Sequence, residues 1–399
     1  MLTALGVIEG DPDGSFRPDA TVTRAEMAKM IFVVRNNSID DSAYANNSSK
    51  MTDINSHWAK GYIKFCESQG IIAGYGDNTF KPDATVTGVE AAKMLLVLTG
   101  YDADKAGLTG HNWSTNTLKY AGSAGILDDV NSGLESGLPR QYAAQMIYNT
   151  LDTNRVKWST DSDSFDDNLG NGYKETVGYA YMGLTKSVGI LTTVSKDSLT
   201  LTGIDEAESD KVYSGSNPYA TNFTKVKEDY SSLLGQKVKV LFKDGKNNSV
   251  LGVYPIDDNS VVTVNQNEIS VDAGKIVIDD ESYSVETDGV TVIRDGEELN
   301  ENWKAGAFKD QQSADVITLI DTDDNNKIDT AYIKTVDVAK VTYVASSQII
   351  AGSKTYKFSE DTIDEDVEKD DWVIITKNLY NDNNDIVVAS KATGTVEAT

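Results

Sequence analysis

Nine residues beginning at Asp321, Asp-Thr-Asp-Asp-Asn-Asn-Lys-Ile-Asp, place side-chain oxygens at positions 1, 3, 5 and 9. Asp321, Asp323, Asn325 and Asp329 are hard donors, and their spacing matches the first part of a calcium loop. The loop is incomplete: Asn326 stands at position 6 in place of Gly and Tyr332 at position 12 in place of Glu. Residues 381–385, NDNND, are a weaker echo, and an acidic hairpin turn uses the same residue types. Calcium is nevertheless expected at these four residues, because 62 acidic against 36 basic side chains leave the chain at −26. Carboxylates crowded together repel one another unless a cation intervenes. A second chemistry belongs to Arg24 and Arg140, each at the start of a helical pattern. A planar guanidinium beside a helix N-terminus suits an anion such as a carboxylate. A lone arginine at a helix end is commonly a solvated charge, but recurrence at matched positions argues for ligand contact. Asp19 and Asp83, in Pro-Asp-Ala-Thr loops, can accept hydroxyls or serve the turn.

The elements that position these residues repeat. Residues 16–31 read FRPDATVTRAEMAKMI and residues 80–95 read FKPDATVTGVEAAKML. In both copies a Thr precedes a Glu by three residues, Thr23 with Glu26 and Thr87 with Glu90, which is the capping box of a helix start. Met27, Met30, Ile31 and Val34 then follow the spacing of one helix face. Pro18 and Pro82 mark turn-rich loops upstream, into which Phe16 and Phe80 are expected to plug. A worn third copy has its first helix in residues 113–127 and its second in residues 138–151, with Pro139 in place of Thr23 and Tyr142 in place of Glu26. Proline is accepted in a first helical turn. Gly88 replaces the arginine in the second copy, so a groove depending on it should be weaker. Units of this kind bury their apolar faces against one another.

Composition sets the outer bounds. A chain of 399 residues, 39% hydrophobic and 25% charged, has room for two or three globular domains. Its acidity argues against nucleic acid and against anionic lipid surfaces. No run approaches the ~20 apolar residues of a membrane helix, and Met1 is followed by LTALGVIEGDPDG in place of a leader sequence. Either the chain is not exported or a leader has been lost. One cysteine and two histidines exclude a disulfide framework and a zinc cluster; Cys66, in YIKFCESQG, reads as a small buried thiol. No nucleophile elbow, phosphate loop or zinc-protease motif occurs. Carboxylates are too abundant to single out a glycosidase pair.

The Thr-Arg-Ala-Glu helix start, the Gly-x-Phe-x-Pro-Asp loop, HWAK at residues 57–60 and the glycine turn at residues 70–74 together resemble the S-layer homology module, normally present in three tandem copies. The resemblance covers about residues 1–152, and the segment GLTGHNWSTNTLKYAGSAGILDDV is similar to the third module of clostridial S-layer proteins. It implies an all-α pseudo-threefold bundle whose inter-module grooves bind a pyruvylated secondary cell-wall polysaccharide attached to peptidoglycan. Arg24, Arg140, Asp19 and Asp83 are the residues it points to. It also implies that His57 with Trp58, and His111 with Trp113, are packing elements. The opening helix of the first module is absent, so the chain resembles a truncated product.

Beyond the acidic, apolar-poor residues 159–171 the period changes to two. Alternating strands separated by Lys-Asp, Asp-Gly and Asn-rich turns make this half nearly all β. A weak duplication relates residues 187–255 to residues 338–391, and the final GTVEAT resembles the opening strand of another unit. The expected organisation is a multi-domain α + β chain: repeats at 1–35 (truncated), 36–100 and 101–155, an acidic linker at 156–174, and small β sandwiches or barrels at 175–258, 259–337 and 338–399. The function expected is a non-catalytic surface-layer protein of a Gram-positive-type bacterium, secreted and wall-anchored, self-associating through its β half without entering a membrane. A wall-anchored glycan hydrolase and an adhesin are the rival readings.

Overall fold

A computed structural model describes residues 1–10, 13–209, 219–245 and 248–389; the last six residues, GTVEAT, lie outside them. The chain divides into two units, Met1–Thr185 and Lys186–Thr399. Helices dominate the first and strands the second.

In the first unit α1 (Arg24–Asn36) and α3 (Gly88–Thr99) begin in the same way. Thr23 Oγ1 accepts the Glu26 N–H while Glu26 accepts the Thr23 N–H, and Thr87 with Glu90 repeats the arrangement. Each satisfies two donors that a helix start leaves free. The α1 helix stops at Asn37, whose left-handed backbone is the usual C-terminal device. At the end of α3, Gly100 has φ 110°, and a Cβ there would lie 2.1 Å from the Val156 oxygen. Glycine is needed twice over. Between these helices lies α2 (Lys60–Ser68), and α4 (Trp113–Ser123) and α5 (Arg140–Asp152) follow α3. Phe32 meets the rings of Tyr44, Tyr62 and Phe65 edge-on, at 5.0–5.6 Å between centroids, joining the first two copies.

The three segments preceding α1, α3 and α5 close a ring. Val22 N–H donates to Leu138 O, Leu138 N–H to Val86 O, and Val86 N–H to Val22 O, each at 2.9 Å. Neighbouring copies also supply the acceptors for the helix starts: Ala84 and Pro82 carbonyls receive the first N–H groups of α1, and Ala20 and Pro18 carbonyls those of α5. One copy thus caps the next.

Residues 156–174, expected as a linker, are instead built into this unit. Strands Lys157–Ser159 and Ser164–Asp166 form a hairpin, and its Trp158 and Phe165 meet edge-on at 5.0 Å. Phe165 in turn meets Tyr101 at 4.6 Å and Tyr120 at 5.9 Å. Two aromatic anchors hold a segment that is otherwise mostly polar, and with this hairpin the unit is not purely helical. A further helix, α6 (Val177–Met182), ends beside α1, with Arg35 lying 4.1 Å over the Tyr181 ring.

In the second unit, strands Leu184–Val194, Ser198–Thr202, Asn222–Thr224, Ser249–Pro255 and Lys237–Lys243 close a barrel around Phe223, Phe242 and Leu199. A six-stranded sheet over Val336–Val388 repeats its pairing logic. Both have a bulged first pairing, after Leu191 and after Val341, and both have a short strand running parallel to the last one, at Thr224–Ser249 and Thr362–Asp385. Between them, a five-stranded sheet ordered Glu297–Glu298, Thr291–Arg294, Thr330–Lys334, Val316–Asp321, Ser260–Asn265 packs one face over Ile317, Leu319, Ala331 and Ile333.

Candidate functional site

Arg24, the first residue of α1, is only 4% exposed. Its Nε donates to Phe80 O at 2.9 Å, one terminal nitrogen meets Glu90 Oε1 at 2.7 Å, and the other reaches Ala73 O at 3.3 Å. The guanidinium also lies 4.6 Å over the Phe80 ring and 4.8 Å over Tyr75. Every one of those partners belongs to the second copy. The planar fork spends its donors on an inter-copy clamp, and the cap glutamate of α3 is the same Glu90. Lys93 stands one turn further along α3, 5.6 Å from the Trp113 ring, and its burial holds the ammonium below the ordinary lysine range.

Arg140 makes the matching reach from the third copy into the first. Its Nε donates to Phe16 O at 2.9 Å and a terminal nitrogen to Glu9 O at 3.3 Å, with the Phe16 ring 5.2 Å away. Among the described residues no carboxylate claims it in the way Glu90 claims Arg24. Instead it lines a cavity of about 210 Å³ together with Glu9, Phe16, Glu26, Lys29 and Trp58. Lys29 pairs with Glu9 at 2.8 Å, both partly open to solvent. Trp58, expected to pack, is 56% exposed and forms a wall of the cavity. Two cations, one exposed indole and an apolar floor can hold an anionic, ring-shaped ligand.

The third position is closed. A Cβ on Gly88 would lie 2.6 Å from Leu134 Cδ2 and 2.9 Å from its Cα, and Leu134 O accepts the Val89 N–H at 3.0 Å. Backbone fills the space that arginine takes in the other two copies.

Asp19 and Asp83 are exposed on the loops. Asp19 accepts from Gln141 at 2.9 Å, and Asp83 lies 3.1 Å from His57 Nε2. His57 Nδ1 accepts the Ala59 N–H, so this histidine caps the turn before α2. Cys66 is buried, its thiol directed at Ala28 O, and burial pushes its pKa up. Sequence reasoning passed over Lys29 and Lys93, although both copies preserve lysine three residues after the cap glutamate. It also passed over Asp53, which accepts the N–H groups of Phe80 and Lys81 at 2.9 and 2.8 Å and so fixes the loop under Arg24.

In the second unit Asp321, Asp323 and Asp329 offer carboxylate oxygens that all lie within 4.8 Å of one another. Asp321 is buried and accepts the N–H groups of Asp323, Asn325 and Asn326. Asp329 Oδ2 accepts from Thr322, whereas its buried Oδ1 has no partner among the described residues. Burial pushes the Asp329 pKa above the usual carboxylate range. Asn325 offers the three no oxygen: its amide oxygen accepts the Lys327 N–H, and its nitrogen donates to Glu286 and Asp323. The three carboxylates fit a hard divalent cation in donor type.

No helix among the described residues is long and apolar enough to cross a membrane. The family model of the S-layer homology domain matches residues 1–28 and 50–92. Cell surface glycoprotein 1 of Acetivibrio thermocellus is 43% identical over 90 residues, 22% of this chain and 4% of its own length. The surface layer protein of Brevibacillus choshinensis is 27% identical over 74% of this chain and 27% of its own length. A cell surface protein of Thermoanaerobacter kivui is 24% identical over 89% of this chain and 47% of its own length. The chain thus spans less than half of each of these relatives. The matched residues contain Arg24, Trp58, Phe80 and Glu90, side chains of the inter-copy clamp and the cavity wall, and it is this part of the chain that matches the S-layer homology domain.

Proposed function

We propose that this is a non-catalytic surface-layer protein whose first unit binds a pyruvylated secondary polysaccharide linked to peptidoglycan, as a pseudo-threefold repeat bundle. The cavity that brings Arg140 and Lys29 against exposed Trp58 carries the reading. A ketal carboxylate is a planar acceptor suited to a guanidinium, and a sugar ring lies flat against an indole face. The closed ring through Val22, Val86 and Leu138 supports the threefold bundle. Asp19 and Asp83, both exposed, accept sugar hydroxyls at the groove margins. Lys93 beside Trp113 supplies the cationic contact of the second position, where Arg24 is held in the clamp with Glu90, while the third position, closed by Leu134, binds nothing.

The three-carboxylate loop at Asp321, Asp323 and Asp329 holds calcium in this reading, the buried and unpartnered Asp329 oxygen being its support. The β half projects from the wall and associates with copies of itself. Cosedimentation with purified cell walls tests the anchoring. The protein pellets with walls carrying the pyruvylated polymer and stays in solution with walls lacking the pyruvate; equal pelleting with both discards the reading.

A further inference from the structure

Sheet edges in the second unit are guarded, with one exception. Strand Glu297–Glu298 is two residues long and doubly acidic, Ser270–Asp272 carries an aspartate, Lys354–Lys357 a lysine at either end, and Lys327–Ile328 and Thr362–Ile363 are two residues each. Short length and charge are the usual protection of an edge against strand addition. Strand Ser260–Asn265 has neither. It is six residues long, Ser-Val-Val-Thr-Val-Asn, and its neighbours Asn259, Gln266 and Asn267 are uncharged as well.

The strand pairs along one side only, with Val316–Asp321, in an unbroken antiparallel register from Ser260–Asp321 to Asn265–Val316. It stands last in its sheet, and among the described residues no strand pairs with its outer side. Four of its six residues are exposed, Val261 at 43%. β-branched residues dominate it, the composition most favourable to strand pairing.

We propose that Ser260–Asn265 is a self-association edge, pairing antiparallel with the same strand of a second copy. Charge selects that occupant. In a chain of −26 most surfaces repel their own copies, and a basic partner would be drawn to the acidic edges rather than to this one. The strand is also self-complementary: a two-fold antiparallel pairing sets Ser260 against Asn265, Val261 against Val264 and Val262 against Thr263, with no charge opposite another. The contact is small, below the ~1,000 Å² of a stable interface. It is therefore weak between two free copies and adds up across an array.

This names the self-contact left open in the proposed function, and it is tested without wall polymer, so its failure leaves the anchoring reading standing. The probe is the full chain alone, followed by sedimentation velocity from micromolar to millimolar concentration. Wild type associates with rising concentration; Val261→Lys, which puts a charge on the edge, weakens association at least tenfold, and Val261→Thr, uncharged and β-branched, retains it. Circular dichroism of both variants checks the fold. A wild type that stays monomeric throughout hands the edge to some other protein and overturns the proposal, as does a folded Val261→Lys variant that associates like wild type.

Discussion

Arg24 and Glu90 belong to different copies of the repeat, yet their side chains meet at 2.7 Å with exposures of only 4% and 21%. Glu90 caps its own helix through Thr87 while it neutralises the arginine of the neighbouring one. Removing the arginine leaves that carboxylate and the carbonyls of Phe80 and Ala73 without their donor. Arg24→Met is expected to lose about 3–5 kcal/mol, read from the urea midpoint of the helical transition by far-ultraviolet circular dichroism. Arg24→Lys recovers part of it at most, because an ammonium lacks the fork that reaches three acceptors. An unchanged midpoint in Arg24→Met refutes the clamp.

Gly88→Ala meets Leu134 backbone 2.9 Å away. Overpacking of this kind costs about 1–3 kcal/mol. Gly88→Arg, which restores the sequence pattern of the other copies, is expected to be less stable still and to gain no wall binding. Tighter wall retention by that variant would show that the third position can open.

Arg140→Ala and Trp58→Ala separate binding from folding. Arg140 gives up two hydrogen bonds to carbonyls, a loss of about 1–3 kcal/mol, while Trp58 is already exposed and its truncation leaves stability nearly unchanged. Both are expected to weaken retention on polymer-bearing walls by tenfold or more. Retention equal to wild type in Trp58→Ala removes the indole from the site.

Calcium titration followed by thermal unfolding checks the acidic loop. Wild type is expected to unfold at a higher temperature with calcium than with chelator, and Asp329→Asn to lose that difference. An identical unfolding temperature in the two conditions for wild type reduces the loop to a turn.

Lys237 reaches Asp205 at 2.7 Å and holds its carboxyl below the usual range. A lowered folded pKa stabilises above the unfolded value of about 4 and loses that stabilisation as pH falls through the lower folded value. Wild type is therefore expected to be more stable than Lys237→Met at pH 7, with the gap closing below about pH 4. Thermal scans across that range measure it, and a gap constant with pH contradicts the linkage.

What was legible in the sequence is what is local. Thr23 with Glu26 and Thr87 with Glu90 sit three residues apart, and their caps follow from spacing alone. The burial of Arg24 was not legible, because its ionic partner is 66 residues away and meets it only once the copies pack. Trp58 was read as a packing residue and stands largely exposed, since its helical pattern does not reveal which neighbour fails to cover it. Residues 156–174 look like a linker by composition, but Trp158 and Phe165 anchor them to the helical unit. In the β half the alternation revealed strands, whereas the parallel pairings of Thr224 with Ser249 and Thr362 with Asp385 join residues distant in sequence.

The ring through Val22, Val86 and Leu138 bears on how such a chain carries tension. A ladder of strands has a free end from which bonds break one at a time, but a closed ring has none. Drawing any one segment away breaks both the bond it donates and the bond it accepts, so the two must yield together, each worth about 1 kcal/mol net. A protein held at a surface and pulled from outside thus meets, at this ring, a rupture that cannot be unzipped.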